Sequence, residues 1–78
     1  MAMVWRATPQ SSSIRMAGYD ARRRVMTVIY LDGDAYNYLE VPRTLWENYE
    51  AEIDDGGSAG EFVNYLVKPY YRFEKQER

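Results

Sequence analysis

The 78-residue chain contains no cysteine and no histidine, and these absences exclude several functions. Without cysteine a disulfide framework cannot form, and an ordinary zinc site lacks its usual ligands. The commonest general base and the best nucleophile are missing too, which argues against an enzyme. Acids such as Glu47, Glu50 and Asp54 are typical of a helix surface and an exposed turn. We expect no catalytic residue, metal site or cofactor.

Long apolar runs are absent as well. No segment approaches the roughly 18 residues of a membrane span, and residues 1–6 lack the apolar region of a signal peptide. We therefore expect a cytoplasmic protein without a membrane partner. The length predicts one domain near the lower limit for a stable core, a size at which a homo-oligomer is a common solution.

The charge is small overall but unevenly distributed. Net charge is −2 for the whole chain, with +4 in residues 1–31, −8 in residues 32–61 and +2 in residues 62–78. The basic ends could form one patch if the fold brings them together. The alternative is a solvated surface of mixed charge.

The hydrophobic pattern predicts strands first and helices later. We expect strands at 14–19, 24–31 and 35–41, joined by a turn at 20–23 and an Asp-Gly hairpin turn at 32–34. Helices are predicted at 42–52 and from about 59 to 67, and residues 70–73 could form a short closing strand. The class is α+β, a three-stranded antiparallel meander followed by two short helices. Residues 1–10 form an arm, 11–73 the domain and 74–78 a frayed tail.

Tyrosines are the most suggestive candidates for a binding site. Tyr36 and Tyr38 are two residues apart on a strand, so they share a face, and Tyr30 on the neighbouring strand could approach them. Exposed, such rings form a platform on which nucleobases stack. The alternative is that they are core residues beneath the helices.

Residues 56–60, Gly-Gly-Ser-Ala-Gly, precede the second helix and resemble a phosphate-binding turn. The turn lacks the lysine of a P-loop, and Glu61 would repel an anion. Ser58 and Glu61 instead match a capping box, in which each side chain satisfies a backbone donor of the other residue. Capping is the interpretation we favour.

Several motifs together resemble the KTSC domain, a family found at the C-terminus of some lysyl-tRNA synthetases and as small bacterial and phage proteins. The matching motifs are Ser12-Ser-Ile14, Gly18-Tyr-Asp20, Tyr36-x-Tyr38-x-x-Val41-Pro42 and Ser58-x-Gly60-x-Phe62-Val63-Asn64, followed by Lys68 and Tyr71. The resemblance covers residues 11–73 and implies a binding role, with RNA suggested by the attachment to a synthetase. Glu61 stands where the family usually has a basic residue.

Combining residues and resemblance, we expect a non-enzymatic module that binds a nucleobase-bearing ligand, either RNA or a small nucleotide. Tyr36 and Tyr38 would stack on the base, Arg15 and Lys68 would meet phosphate or ribose, and Asn64 would bond a polar edge. The family motif adds Ser58 to this ligand-binding set.

Two other functions remain open. One is a protein–protein adaptor anchored by Trp5 or Trp46, since tryptophan is frequent in interface hot spots. The other is a phage-type protein that sequesters a host signalling nucleotide between the subunits of an oligomer.

Overall fold

A computed structural model describes residues 3–76 of the chain. One antiparallel sheet contains, in chain order, β1 (Val4–Ala7), β2 (Ile14–Asp20), β3 (Val25–Tyr30), β4 (Ala35–Tyr38) and β5 (Phe73–Lys75). The helices are α1 (Arg43–Asp54) and α2 (Ala59–Phe62), and α2 continues as a π-helical segment, Val63–Val67. Among the described residues, no helix is both long and apolar enough to cross a bilayer.

The predicted meander forms the centre of this sheet. β2, β3 and β4 pair antiparallel through short turns. In the second turn Gly33 has a φ of 96°, which favours glycine. There the Asp32 carboxylate accepts a hydrogen bond of 2.9 Å from the Asp34 N–H. The α+β class and the three central strands are therefore confirmed.

The sheet has two strands beyond the predicted meander, one at each edge. β1 lies inside residues 1–10, the predicted arm. β5 starts at Phe73, where the predicted closing strand (70–73) ends, and it extends into the predicted frayed tail (74–78). Both strands are short and depend on hydrogen bonds from a neighbouring strand, which local sequence does not reveal. β1 and β5 occupy opposite edges, so Arg6 and Lys75, the basic residues of these two strands, do not meet in one patch.

Backbone conformation sets the ends of β4 and α1. β4 stops at Tyr38 rather than Val41, and Glu40 just beyond it has a φ of 58°. α1 ends in a Schellman motif, in which the Gly56 N–H donates to Ile53 O at 3.2 Å and the Gly57 N–H to Glu52 O at 2.8 Å. Gly56 has a φ of 86°, the left-handed conformation that this motif requires and glycine adopts readily.

The helices cover one face of the sheet, which we call the covered face. Strand register places Tyr19, Met26 and Tyr38 side by side on this face, and Tyr36 lies in the next row. They pack against buried helical residues including Trp46, Tyr49, Phe62, Val63 and Val67. Tyrosine rings supply much of this core, and the chain has no cysteine that could add a disulfide.

The opposite face, which we call the open face, carries Trp5 beside Gly18 and Thr27. A Cβ atom at Gly18 would lie 2.6 Å from the Trp5 ring, so only glycine lets the ring lie across the strand. Thr27 is buried, and its hydroxyl donates a hydrogen bond of 2.6 Å to the side-chain amide oxygen (Oδ1) of Asn37.

We expect Gly18→Ala to lower the free energy of unfolding by about 1 kcal/mol. Overpacking costs about 1–3 kcal/mol, and the reduced freedom of the unfolded chain returns part of it. Urea unfolding of Gly18→Ala, Trp5→Ala and the double variant measures the coupling. In the Trp5→Ala background, Gly18→Ala should not lower the free energy of unfolding any further. If the losses of the two single variants add up in the double variant, the close contact between Trp5 and Gly18 is not the cause.

Candidate functional site

An aromatic cleft opens where the covered face extends beyond the helices. Its rings are Tyr30, Tyr36 and Phe73, with Tyr38 as the floor, and its volume is about 400 Å³. The Tyr30 and Tyr36 centroids are 5.6 Å apart with perpendicular planes, and those of Tyr36 and Phe73 are 5.2 Å apart at 57°. Phe73 is 54% exposed. The cleft therefore presents aromatic surface to solvent.

Charged side chains of both signs border the aromatic cleft. Lys68 follows the π-helical segment, and its Nζ lies 5.5 Å from the centroid of the Tyr30 ring, within cation–π range. Asp32 and Asp34 line the side formed by the β3–β4 turn, and Lys75 lies 3.5 Å from Asp34. The site thus combines aromatic rings with hydrogen-bond acceptors and two ammonium groups.

Tyr38 is not an open stacking surface, because its side chain is 1% exposed. Burial raises the pKa of its hydroxyl well above the usual value, and the nearby Tyr30 and Tyr36 raise it further. The Tyr30 hydroxyl is enclosed close to that of Tyr38, although the two do not form a hydrogen bond of good geometry. Tyr38 holds the other rings in place, and Tyr36 is the half-buried member of the predicted pair.

The six residues predicted to bind ligand do not form one site. Tyr36, Tyr38 and Lys68 line the aromatic cleft, whereas the other three lie outside it. Arg15 is exposed on β2, where its guanidinium donates to Leu31 O at 3.2 Å. Asn64 is exposed on the π-helical segment.

Ser58 borders a second hollow of about 720 Å³ between residues 6–12 and 53–59. Its hydroxyl accepts a 3.1 Å hydrogen bond from the Glu61 N–H, which confirms the serine half of the capping box. A cap explains Ser58 without any ligand.

Other motif residues also have structural roles. The buried Tyr19 hydroxyl donates to Val41 O at 2.6 Å. The Asp20 carboxylate accepts from the N–H groups of Arg22 and Arg23 in the β2–β3 turn. A Cβ at Gly60 would lie 2.5 Å from the Ser13 hydroxyl, so the two serine-containing motifs meet there. Folding thus accounts for these positions, whereas it gives no comparable role to Lys68.

Sequence reasoning missed Phe73 as a site residue. Phe73 pairs with Tyr38 across β4 and β5, which puts the two side chains on the same face. The available signal was the aromatic run from Tyr70 to Phe73, which predicts a strand but not the strand it pairs with.

Trp46 is not the exposed anchor that the adaptor hypothesis requires. It is 4% exposed and stacks on Tyr19 and Tyr49 at centroid distances of 5.6 and 5.3 Å. Trp5, in contrast, is 44% exposed on edge strand β1.

Comparisons with known proteins agree with this architecture. The model of the KTSC domain family matches residues 10–71. A protein of Tsukamurella paurometabola is 36% identical over 63 residues, covering 81% of this chain and 88% of its own length. A lysine–tRNA ligase of Nostoc punctiforme is 27% identical over 67 residues, which are 86% of this chain but only 11% of the ligase.

A crystal structure supports the same assignment. The KTSC domain protein of Yersinia pestis superimposes with a TM-score of 0.81 at 27% identity, covering 97% of this chain and 100% of the other. The family model, the relatives and the superposition agree, and the chain belongs to the KTSC domain family.

Proposed function

We propose that this chain is a non-enzymatic binding module whose aromatic cleft takes a nucleobase-bearing ligand, an unpaired RNA nucleotide or a free nucleotide. The observation that carries the proposal is the exposed ring of Phe73 packed against Tyr36 beside Lys68. Aromatic rings contribute about 1–3 kcal/mol per stacked base. Other aromatic side chains, such as Tyr19 and Trp46, are needed for the core.

Charge limits how the ligand lies. A phosphate is attracted to Lys68 and repelled by Asp32 and Asp34, so the phosphate belongs on the lysine side. A base placed against the Phe73 ring would turn its polar edge toward the turn that carries the two acids. A site with so few basic groups favours a ligand of one or two nucleotides over a longer RNA, because neutralisation of phosphates supplies much of the affinity for longer RNA.

The lysine–tRNA ligases among the relatives support RNA as the source of the nucleotide. In the Nostoc ligase the matching region is a small part of an enzyme that acts on tRNA. This chain spans only that small part, so the ligase activity itself is not proposed for it. A domain attached to such an enzyme is well placed to hold an unpaired nucleotide of RNA.

We expect Phe73→Leu to weaken binding about tenfold or more, since leucine keeps apolar volume but cannot stack on a base. The measurement is an NMR titration of the folded protein with homopolymeric RNA hexamers and with the four ribonucleoside monophosphates. Tyr70→Leu is the matched control, because Tyr70 is an exposed aromatic outside the cleft.

Lys68→Gln should reduce the salt dependence of RNA binding by about one phosphate contact.

In the NMR titration, chemical-shift changes that are confined to residues lining the cleft, and that are lost in Phe73→Leu but kept in Tyr70→Leu, support the proposal. Tight binding of monophosphates without a gain from the hexamers identifies a free nucleotide as the ligand. The proposal fails if the wild-type protein binds neither, or if both leucine variants bind as well as wild type.

A further inference from the structure

The two edges of the sheet differ in their protection against pairing with another strand. On β5, all three residues are exposed and two are charged, Glu74 and Lys75. Charged residues on an edge discourage association. On β1, Val4 is 54% and Trp5 44% exposed, so this edge carries apolar side chains instead.

The only charge on β1 is already neutralised within the chain. Arg6 pairs with Glu50 at 3.0 Å and also with Asp54, both on α1. An approaching strand therefore meets no uncompensated charge on β1, whereas β5 presents Glu74 beside Lys75.

Backbone groups along the free side of β1 are available for pairing. The Thr8 N–H donates to Arg15 O at 3.0 Å, which fixes the alternation along the strand. By that alternation Val4 and Arg6 bond toward β2, whereas the N–H and C=O of Trp5 and Ala7 point away from the sheet.

We propose that β1 is a homodimer interface, in which two copies of this chain pair β1 antiparallel about a two-fold axis at Trp5. Trp5 then faces the partner's Trp5 and the two exchange both backbone hydrogen bonds. Val4 lies beside the partner's Arg6, and the two sheets join into one of ten strands. Each Trp5 ring already lies across its own Gly18, which leaves space for the second ring.

Backbone hydrogen bonds select this register over the neighbouring one. An axis at Arg6 would place at its centre two residues whose N–H and C=O groups already bond toward β2, so they could not exchange the two hydrogen bonds that Trp5 can make. On β5, a two-fold axis at Glu74 or at Lys75 would set identical charges against each other. A dimer through β1 also leaves both aromatic clefts free, because they lie beside β5 at the outer ends of the joined sheet.

Sedimentation across a dilution series tests the dimer with the intact chain. Wild type should reach twice the monomer mass of 9.2 kDa. Trp5→Lys and Trp5→Glu each place two like charges directly opposite each other at the axis and should weaken the dimer about tenfold. A mixture of the two variants pairs lysine with glutamate there and should restore the dimer. Both substitutions fall on an exposed side chain, and circular dichroism checks that each variant is folded.

Single-cysteine variants test the register, because the chain has no cysteine of its own. After mild oxidation Trp5→Cys should give a crosslinked dimer on a non-reducing gel, since paired residues have Cα atoms within disulfide range. Ala7→Cys should not, because Ala7 lies well away from the partner's Ala7. The proposal is overturned by a wild-type monomer at all concentrations or by species larger than a dimer. A dimer that is insensitive to both Trp5→Lys and Trp5→Glu, or that crosslinks at Ala7 rather than Trp5, overturns it as well.

Discussion

Trp46→Ala is expected to abolish the cooperative unfolding transition of this domain or to leave the chain only partly folded at room temperature. Trp46 is stacked between Tyr19 and Tyr49 and is 4% exposed. Truncating such a residue costs about 3–5 kcal/mol. A core of this size supplies only about 3–5 kcal/mol of net stability. The cost of the substitution and the net stability of the core are similar in size, so the substitution removes most of the free energy of unfolding.

Urea unfolding followed by far-ultraviolet circular dichroism measures the effect. Tyr70→Ala is the control, since Tyr70 is 71% exposed and should change the free energy of unfolding by less than about 0.5 kcal/mol. A Trp46→Ala variant that unfolds at nearly the wild-type urea concentration would show that the stack contributes little.

The second large effect is loss of stability in alkali. Burial raises the pKa of the Tyr49 hydroxyl from 10.0 to about 12, and it also raises the pKa of the Tyr38 hydroxyl. The folded state therefore favours the neutral phenol, whereas the unfolded chain ionises from pH 10. The stability that depends on the neutral phenol is fully present below pH 10 and is lost as the pH rises toward 12. Tyr49 alone accounts for a loss of about 2–3 kcal/mol, at about 1.4 kcal/mol per pKa unit.

Free energies of unfolding from urea titrations between pH 8 and pH 12 test this, with tyrosinate absorbance recorded in parallel. Tyr49→Phe is the matched variant. The buried Tyr49 hydroxyl has no hydrogen-bond partner among the described residues. Removing this hydroxyl should raise the free energy of unfolding by about 1 kcal/mol at neutral pH. It should also make the decline in stability at alkaline pH less steep. An unchanged decline in Tyr49→Phe would assign the effect to other groups.

Local sequence patterns were sufficient for the central elements. The β-branched run of β3, the Asp-Gly turn and the spacing of apolar residues in α1 predict structure that forms largely from neighbours in the chain. The glycine cap at Gly56 and the serine cap at Ser58 depend on local sequence for the same reason, since both are contacts within five residues.

Edge strands could not be predicted in this way. β1 and β5 have three or four residues each, and their strand conformation depends on hydrogen bonds from β2 and β4. Phe73 joins the aromatic cleft for the same reason, because only the β4–β5 register places it beside Tyr38.

By itself, the sequence determined the α+β class, the order of the central strands and helices, and the KTSC family through its ordered motifs. It also brought Tyr36 and Tyr38 to one face, since that follows from the two-residue period of a strand. Only the tertiary structure decided that the helices cover this same face. That packing buries Tyr38 and leaves Tyr36 and Phe73 at the border of the core. The choice between core and site depends on which distant helices pack on the sheet, and no local pattern encodes that.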